Sequence, residues 1–149
     1  MTKPQTSVNR IIGVLNGPNL NLLGTRETAI YGSLTLEGIK ALCAETAKDT
    51  GYAIDFRQSN SEGELVNAIQ EMVNTTSGLV INPAAYTHTS VAILDALRAY
   101  PHQVIEVHLS NIYQREEFRR HSYVSLRADG VISGLGGTGY RLAILALVR

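Results

Sequence analysis

Ile11-Ile12-Gly13-Val14-Leu15 runs directly into Asn16-Gly17-Pro18-Asn19. A short unbroken apolar run halted by turn residues reads as a buried strand ending in a tight turn. The same unit recurs downstream. Gly78-Leu79-Val80-Ile81-Asn82 is stopped by Pro83, Val104 to Leu109 by Ser110-Asn111, and Val131-Ile132 lies ahead of a glycine run. Tyr52 to Arg57 alternates in the manner of a strand.

Helical spacing fills the intervals. Leu36, Ile39, Cys43 and Ala47 repeat at the helical period, with Thr35 as N-cap and Gly51 as the stop. Ser61 and Glu64 form a capping box ahead of Leu65, Ile69, Met72 and Val73. Val91, Leu94 and Leu97 mark a helix that must end before Pro101. Arg115 to His121 reads as a short polar helix, and Tyr140 to Val148 as the closing one. Parallel strands need crossover connections, so this alternation predicts a five-stranded parallel sheet with helices on both faces. The expected architecture is α/β, a flavodoxin-like three-layer sandwich of strand order 2-1-3-4-5. In such sheets a ligand sits beyond the carboxyl ends of the strands, at the switch point beside strand 1.

Composition narrows the classes. The 149 residues suggest one domain, 11–149, behind a loose polar tail, 1–10. Thirteen basic residues balance thirteen acidic ones, which argues against a nucleic-acid module. With 44% hydrophobic and 17% charged residues the chain is globular rather than disordered. A single cysteine, Cys43, excludes an internal disulfide and fits a reducing compartment. No run approaches the ~18 apolar residues of a membrane span. The N-terminus also lacks the apolar core of a signal peptide, so a cytoplasmic protein is expected.

Polar residues gather at the strand ends. Asn16, Asn19 and Asn21 follow strand 1, and Asn82 and Thr87-His88-Thr89-Ser90 follow strand 3. Glu106 and His108, two apart on strand 4, project from one face. A carboxylate beside an imidazole fixes its tautomer and raises its basicity, which suits a general acid. His88 is expected at the start of the third helix, where free N–H groups attract anions and hydroxyls. A metal site is not expected, because His88 and His108 lack a third ligand and His102 and His121 fall on other elements.

Gly24 to Gly32 makes a long polar loop beside the switch point, a typical place for a lid. Its Tyr31 is either a packing aromatic or a base, and Arg26 in the same loop favours a phenolate. A free tyrosine titrates near pH 10, so action near neutrality needs about three units, roughly 4 kcal/mol, of help. Arg115 and Arg119 are available to add to it, or else form a solvated basic face with Glu116 and Glu117. Gly134-Leu135-Gly136-Gly137-Thr138-Gly139 satisfies a dinucleotide-binding pattern, but no second strand and no later acidic residue follow. It is better read as close packing of a strand against a helix. The only lysines, Lys3, Lys40 and Lys48, lie in the tail and on the first helix, which disfavours Schiff-base chemistry.

These segments, in order along nearly the whole chain, resemble one family. They include Leu15 to Asn21, Arg26 with Tyr31-Gly32, Gln58 to Gly63, Ile81 to Ser90, Ile105 to Asn111, Arg115 to Ser122, and Gly130 to Gly136. The family is type II 3-dehydroquinate dehydratase. The resemblance implies a cofactor-free anti elimination of water from 3-dehydroquinate through an enolate, on the shikimate pathway. It makes Tyr31 the base, Arg26 the lid arginine, and Arg115 a neighbour of the tyrosine. Asn19 would hold a water against the enolate, and His108, oriented by Glu106, would be the acid. Asn82, His88, Leu109, Ser110 and Arg119 match substrate-binding positions. Asp95 matches an aspartate that reaches a neighbouring subunit's site, in a dodecamer built of trimers. The competing expectation is a non-catalytic flavodoxin-like protein that binds a nucleotide or small anion.

Overall fold

A computed structural model of the chain describes residues 9–25 and 34–148. Five parallel strands form its sheet: β1 (Ile11–Asn16), β2 (Ala53–Gln58), β3 (Gly78–Asn82), β4 (Gln103–His108) and β5 (Gly130–Ser133). Their order is 2-1-3-4-5, as the alternation predicts. Four helices cover the faces: α1 (Leu36–Asp49), α2 (Glu62–Met72), α3 (Val91–Ala99) and α4 (Thr138–Leu147).

Each sheet face has its own core. Ile12, Val14, Val80 and Val107 pack against Ile39, Cys43, Tyr140 and Ile144 of α1 and α4. Leu15, Leu79, Ile81 and Val104 pack against Leu65, Ile69, Ile93 and Leu97 of α2 and α3. Alternate residues of one strand therefore feed opposite cores, which is why the strands read as continuous apolar runs. Cys43 belongs to the first core, where burial pushes its thiol up to about 12 and leaves it inert.

The helix signals resolve in detail. The Thr35 side chain accepts from Gly38 N, and Gly51, at φ 82°, ends α1 with its N–H on the Lys48 carbonyl. The capping box at α2 is only half formed. Ser61 Oγ accepts from Glu64 N, but the Glu64 carboxylate takes the Ser59 hydroxyl, and Ser59 Oγ accepts the Ser61 N–H instead.

Two local expectations fail. Arg115 to His121 is not a helix: a 3-10 turn at Ile112–Gln114 and another at Glu117–Arg119 are separated by extended backbone at Arg115 and Glu116. Phe118, the one large apolar side chain between Arg115 and His121, is exposed, so a helix here would have no apolar face to bury. His88 does not begin α3. It closes a 3-10 turn, Ala84–His88, while Ser90 caps the helix by accepting from Ile93 N. Its position therefore gives it none of the free N–H groups of a helix start.

Candidate active site

The turns after β1 and β3 cross at the switch point. Gly17 N–H donates to the Asn82 carbonyl at 2.8 Å. A Cβ on Gly17 would lie 2.3 Å from the Pro83 carbonyl oxygen, so only glycine permits this approach. Asn19 and Ala84 flank the crossing in left-handed backbone, at φ 69° and 53°. Such strain in non-glycine residues persists where the surroundings over-determine it. Here the end of β2 and the turn after it supply bracing: Gln58 Nε2 donates to Gly17 O, and Asn60 Oδ1 accepts from Asn19 N.

Beneath the crossing lies a buried polar chain. Tyr140 Oη donates to Asn16 Oδ1 at 2.7 Å and accepts from Asn82 Nδ2 at 2.9 Å. Asn82 Oδ1 accepts from Ala84 N, and Asn16 Nδ2 donates to the Arg57 carbonyl. Every direction in the chain is thereby fixed, and among the described residues the second Nδ2 hydrogen of Asn82 has no protein acceptor. Burial pushes the Tyr140 hydroxyl far above its ordinary range, so it stays neutral.

A cleft of about 150 Å³ opens beyond β1, β3 and β4. Asn19, Asn82, His88, His108, Leu109, Ser110, Arg115 and Arg119 all line it. The two arginines reach it from the extended stretch and the turn, not from one face of a helix. Arg119 also pairs with Glu116 and lies 5.0 Å from the centre of the Phe118 ring.

On the cleft floor, His108 Nε2 meets Glu106 Oε2 at 2.5 Å, as their period-two spacing predicts. Glu106 is wholly buried. Thr87 Oγ1 donates to its Oε2 at 3.0 Å, Ser122 Oγ to both oxygens, and Ser125 Oγ to its Oε1 at 2.6 Å. Burial alone would raise this carboxyl. The bond and charge of His108, with Ser125 and Ser122, outweigh burial and hold it below its ordinary range. With Nε2 on an ionised carboxylate, the other ring nitrogen, Nδ1, is the one that can pass a proton into the cleft.

His88 is set the opposite way. Its Nδ1 donates to the His121 carbonyl at 2.7 Å, and His121 Nε2 donates back to the His88 carbonyl at 2.9 Å. Burial lowers the His88 pKa; the bond to His121 opposes this, and the His108 and Arg119 charges reinforce it. A neutral ring with Nδ1 protonated leaves Nε2 as an acceptor for a hydroxyl. Acceptor, amide donor, two arginines and an imidazole acid together suit a small hydroxylated anion.

The glycine run serves packing. Gly134 and Gly136 N–H groups hold the His108 and Leu109 carbonyls, and Ser133 Oγ holds that of Ser110. A Cβ on Gly139 would press on Ile132 and Val107 at 3.3 Å. Among the described residues, no three His, Cys, Asp or Glu side chains converge as metal ligands do. No described helix is long and apolar enough to cross a membrane.

The family model for Dehydroquinase class II matches residues 10–148. The chain belongs to this family. It is 61% identical over 145 residues to a 3-dehydroquinate dehydratase of Streptomyces avermitilis, covering 97% of this chain and 91% of that one. A 3-dehydroquinate dehydratase 2 of Pseudomonas aeruginosa is 58% identical over 137 residues, covering 92% and 93%. Among solved structures, a type II dehydroquinase from Butyrivibrio crossotus superposes with a TM-score of 0.92. It is 45% identical, with 95% of this chain and 99% of that one covered. One from Propionibacterium acnes gives 0.90 at 43% identity, over 96% and 99%.

Not every expected site residue falls in the cleft. Asp95 lies on the exposed face of α3 and is not among the residues lining the cleft. Arg26 and Tyr31, like residues 1–8 of the tail, lie outside the described residues. Sequence reasoning missed Tyr140, Ser122, Ser125 and His121 as parts of the site. His121 and Ser122 close one of the family segments, which is the signal that pointed near them.

Proposed function

We propose that the chain, like its relatives named 3-dehydroquinate dehydratase, dehydrates 3-dehydroquinate, and that it does so without a cofactor to give 3-dehydroshikimate. The buried Glu106–His108 pair beneath a cleft with two arginines carries this reading. Tyr31, ionised with help from Arg26 and Arg115, takes the proton on the carbon next to the ketone. The electron pair moves into an enolate, which Asn19 steadies through a held water. The enolate then collapses to the conjugated double bond. The C1–O bond breaks as His108 Nδ1 protonates the departing hydroxyl, which leaves as water. Tyr31 ends protonated and His108 neutral, and a proton returns from one to the other through solvent.

Arg119 faces the substrate carboxylate, while His88 Nε2 and Asn82 Nδ2 take ring oxygens. Leu109 and Ser110 contribute backbone N–H groups, and Ser110 its hydroxyl. Asp95, which does not line its own cleft, serves a neighbouring subunit's site in a cytoplasmic dodecamer built of trimers. Residues 11–149 act as one catalytic domain. Mixing the purified protein with 3-dehydroquinate and following the ultraviolet absorbance of the enone tests the reading. Steady growth of that absorbance supports it. A folded protein that gives none, yet binds a nucleotide tightly, would be a binding protein instead.

A further inference from the structure

The support beneath His108 comes from a part of the chain with no assigned role. Ser122 and Ser125 lie 16 and 19 residues beyond Glu106, yet both hydroxyls end on its carboxylate. Each hydroxyl has one proton, and the geometry accounts for where each goes. Ser122 Oγ accepts from Ser125 N at 3.1 Å, which turns the Ser122 proton toward Glu106. Thr87 spends its own proton on Oε2 from the other side.

This segment is clamped to the chain around Thr87 and His88. The paired bonds of His88 and His121 join the two stretches, and Tyr123 N–H donates to the Thr87 carbonyl at 2.9 Å. A carboxylate wholly buried would be costly with His108 as its only donor. With four side chains on its two oxygens it stays ionised while sharing its charge among them.

We propose that Ser122 and Ser125 are positioning residues that set the acidity of His108 through Glu106. Resting on the reading of His108 as the acid, the proposal has a definite sign. Each hydroxyl bond removed makes the carboxylate more basic, so the pair holds its shared proton to higher pH and becomes a weaker acid. The other titratable or charged groups that line the cleft with His108, among the described residues, are neutral His88 and the cations Arg115 and Arg119. Beside Glu106, β3 and β5 offer only Ile81 and Val131, and beside His108, β5 offers Ser133.

The test is the nitrogen-15 titration of the His108 ring in the parent, Ser125→Ala, Ser122→Ala and Ser125→Thr, with the pH profile of kcat alongside. The alanine variants should titrate His108 higher by about one unit, and the same limb of the kcat profile should move with it. The threonine variant, which keeps the hydroxyl, should return the parent's midpoint. Folded alanine variants with an unmoved His108 midpoint would overturn the proposal, even if they melted earlier. The ring titration is read without substrate, so it stands apart from the activity. A parent inactive on 3-dehydroquinate would refute the functional reading, whatever the serines do.

Discussion

The hydroxyl of Tyr140 and the side-chain oxygen of Asn16 lie 2.7 Å apart although 124 residues separate them. That bond, with its continuation to Asn82, ties the closing helix to the ends of β1 and β3 where the cleft begins. The position of the Asn82 amide, which lines the cleft, thus depends on a residue of the closing helix.

Tyr140→Phe keeps the ring in its core and removes only the oxygen. Asn16 then has a buried carbonyl without its donor, and Asn82 an N–H without its acceptor. Such losses cost about 1–3 kcal/mol. Thermal unfolding should show the drop, and steady-state kinetics should show KM rising more than kcat falls, because Asn82 loses its anchor. Unchanged KM in a destabilised variant would mean that the chain serves stability alone.

Gly17→Ala places a methyl group against the Pro83 carbonyl, so the two turns must separate. Overpacking of this kind costs about 1–3 kcal/mol. Turnover should fall with Tm, since Asn19 sits on one of the turns that part and Asn82 ends the strand that leads into the other. Wild-type activity in a soluble Gly17→Ala protein would show that the close crossing is dispensable.

Glu106 gives a pH dependence of known sign. Its folded pKa lies below the ordinary carboxylate value, because the His108 and serine contacts outweigh burial. The stability it contributes is therefore complete above that ordinary value and is lost as pH falls through the folded one. Melting curves across this acid range should drop more steeply for the parent than for Glu106→Gln. At neutral pH the same variant should lose at least about 10²-fold in kcat, since its acid is no longer supported. Parallel melting curves would sink the stability argument.

Much of this was legible in the sequence. The five-stranded parallel sheet followed from buried apolar runs alternating with capped helices, its order came from the flavodoxin-like arrangement such sheets adopt, and Glu106 and His108 were paired by spacing alone. What escaped was non-local. Nothing in the spacing of Ser122 and Ser125 shows that a segment after the arginine turn folds back under β4. Nor does an aromatic at helical spacing, such as Tyr140, reveal that its hydroxyl has two amide partners. The Arg115 to His121 stretch misled because its polar residues suit a short helix, while its one large apolar side chain, Phe118, stays exposed. His88 misled by one turn, since Ser90 was the better cap.

In the proposed reaction, proton removal and water loss are separate steps run by two different residues, Tyr31 and His108. The most direct measurement follows 3-dehydroquinate in deuterated water by NMR with the parent, Tyr31→Phe and His108→Ala. His108→Ala should still exchange the hydrogen next to the ketone for deuterium above the uncatalysed rate while forming almost no product. Tyr31→Phe should do neither, although it still binds substrate. Elimination by Tyr31→Phe at the parent's rate, or loss of exchange in a folded His108→Ala protein that binds substrate, would contradict it.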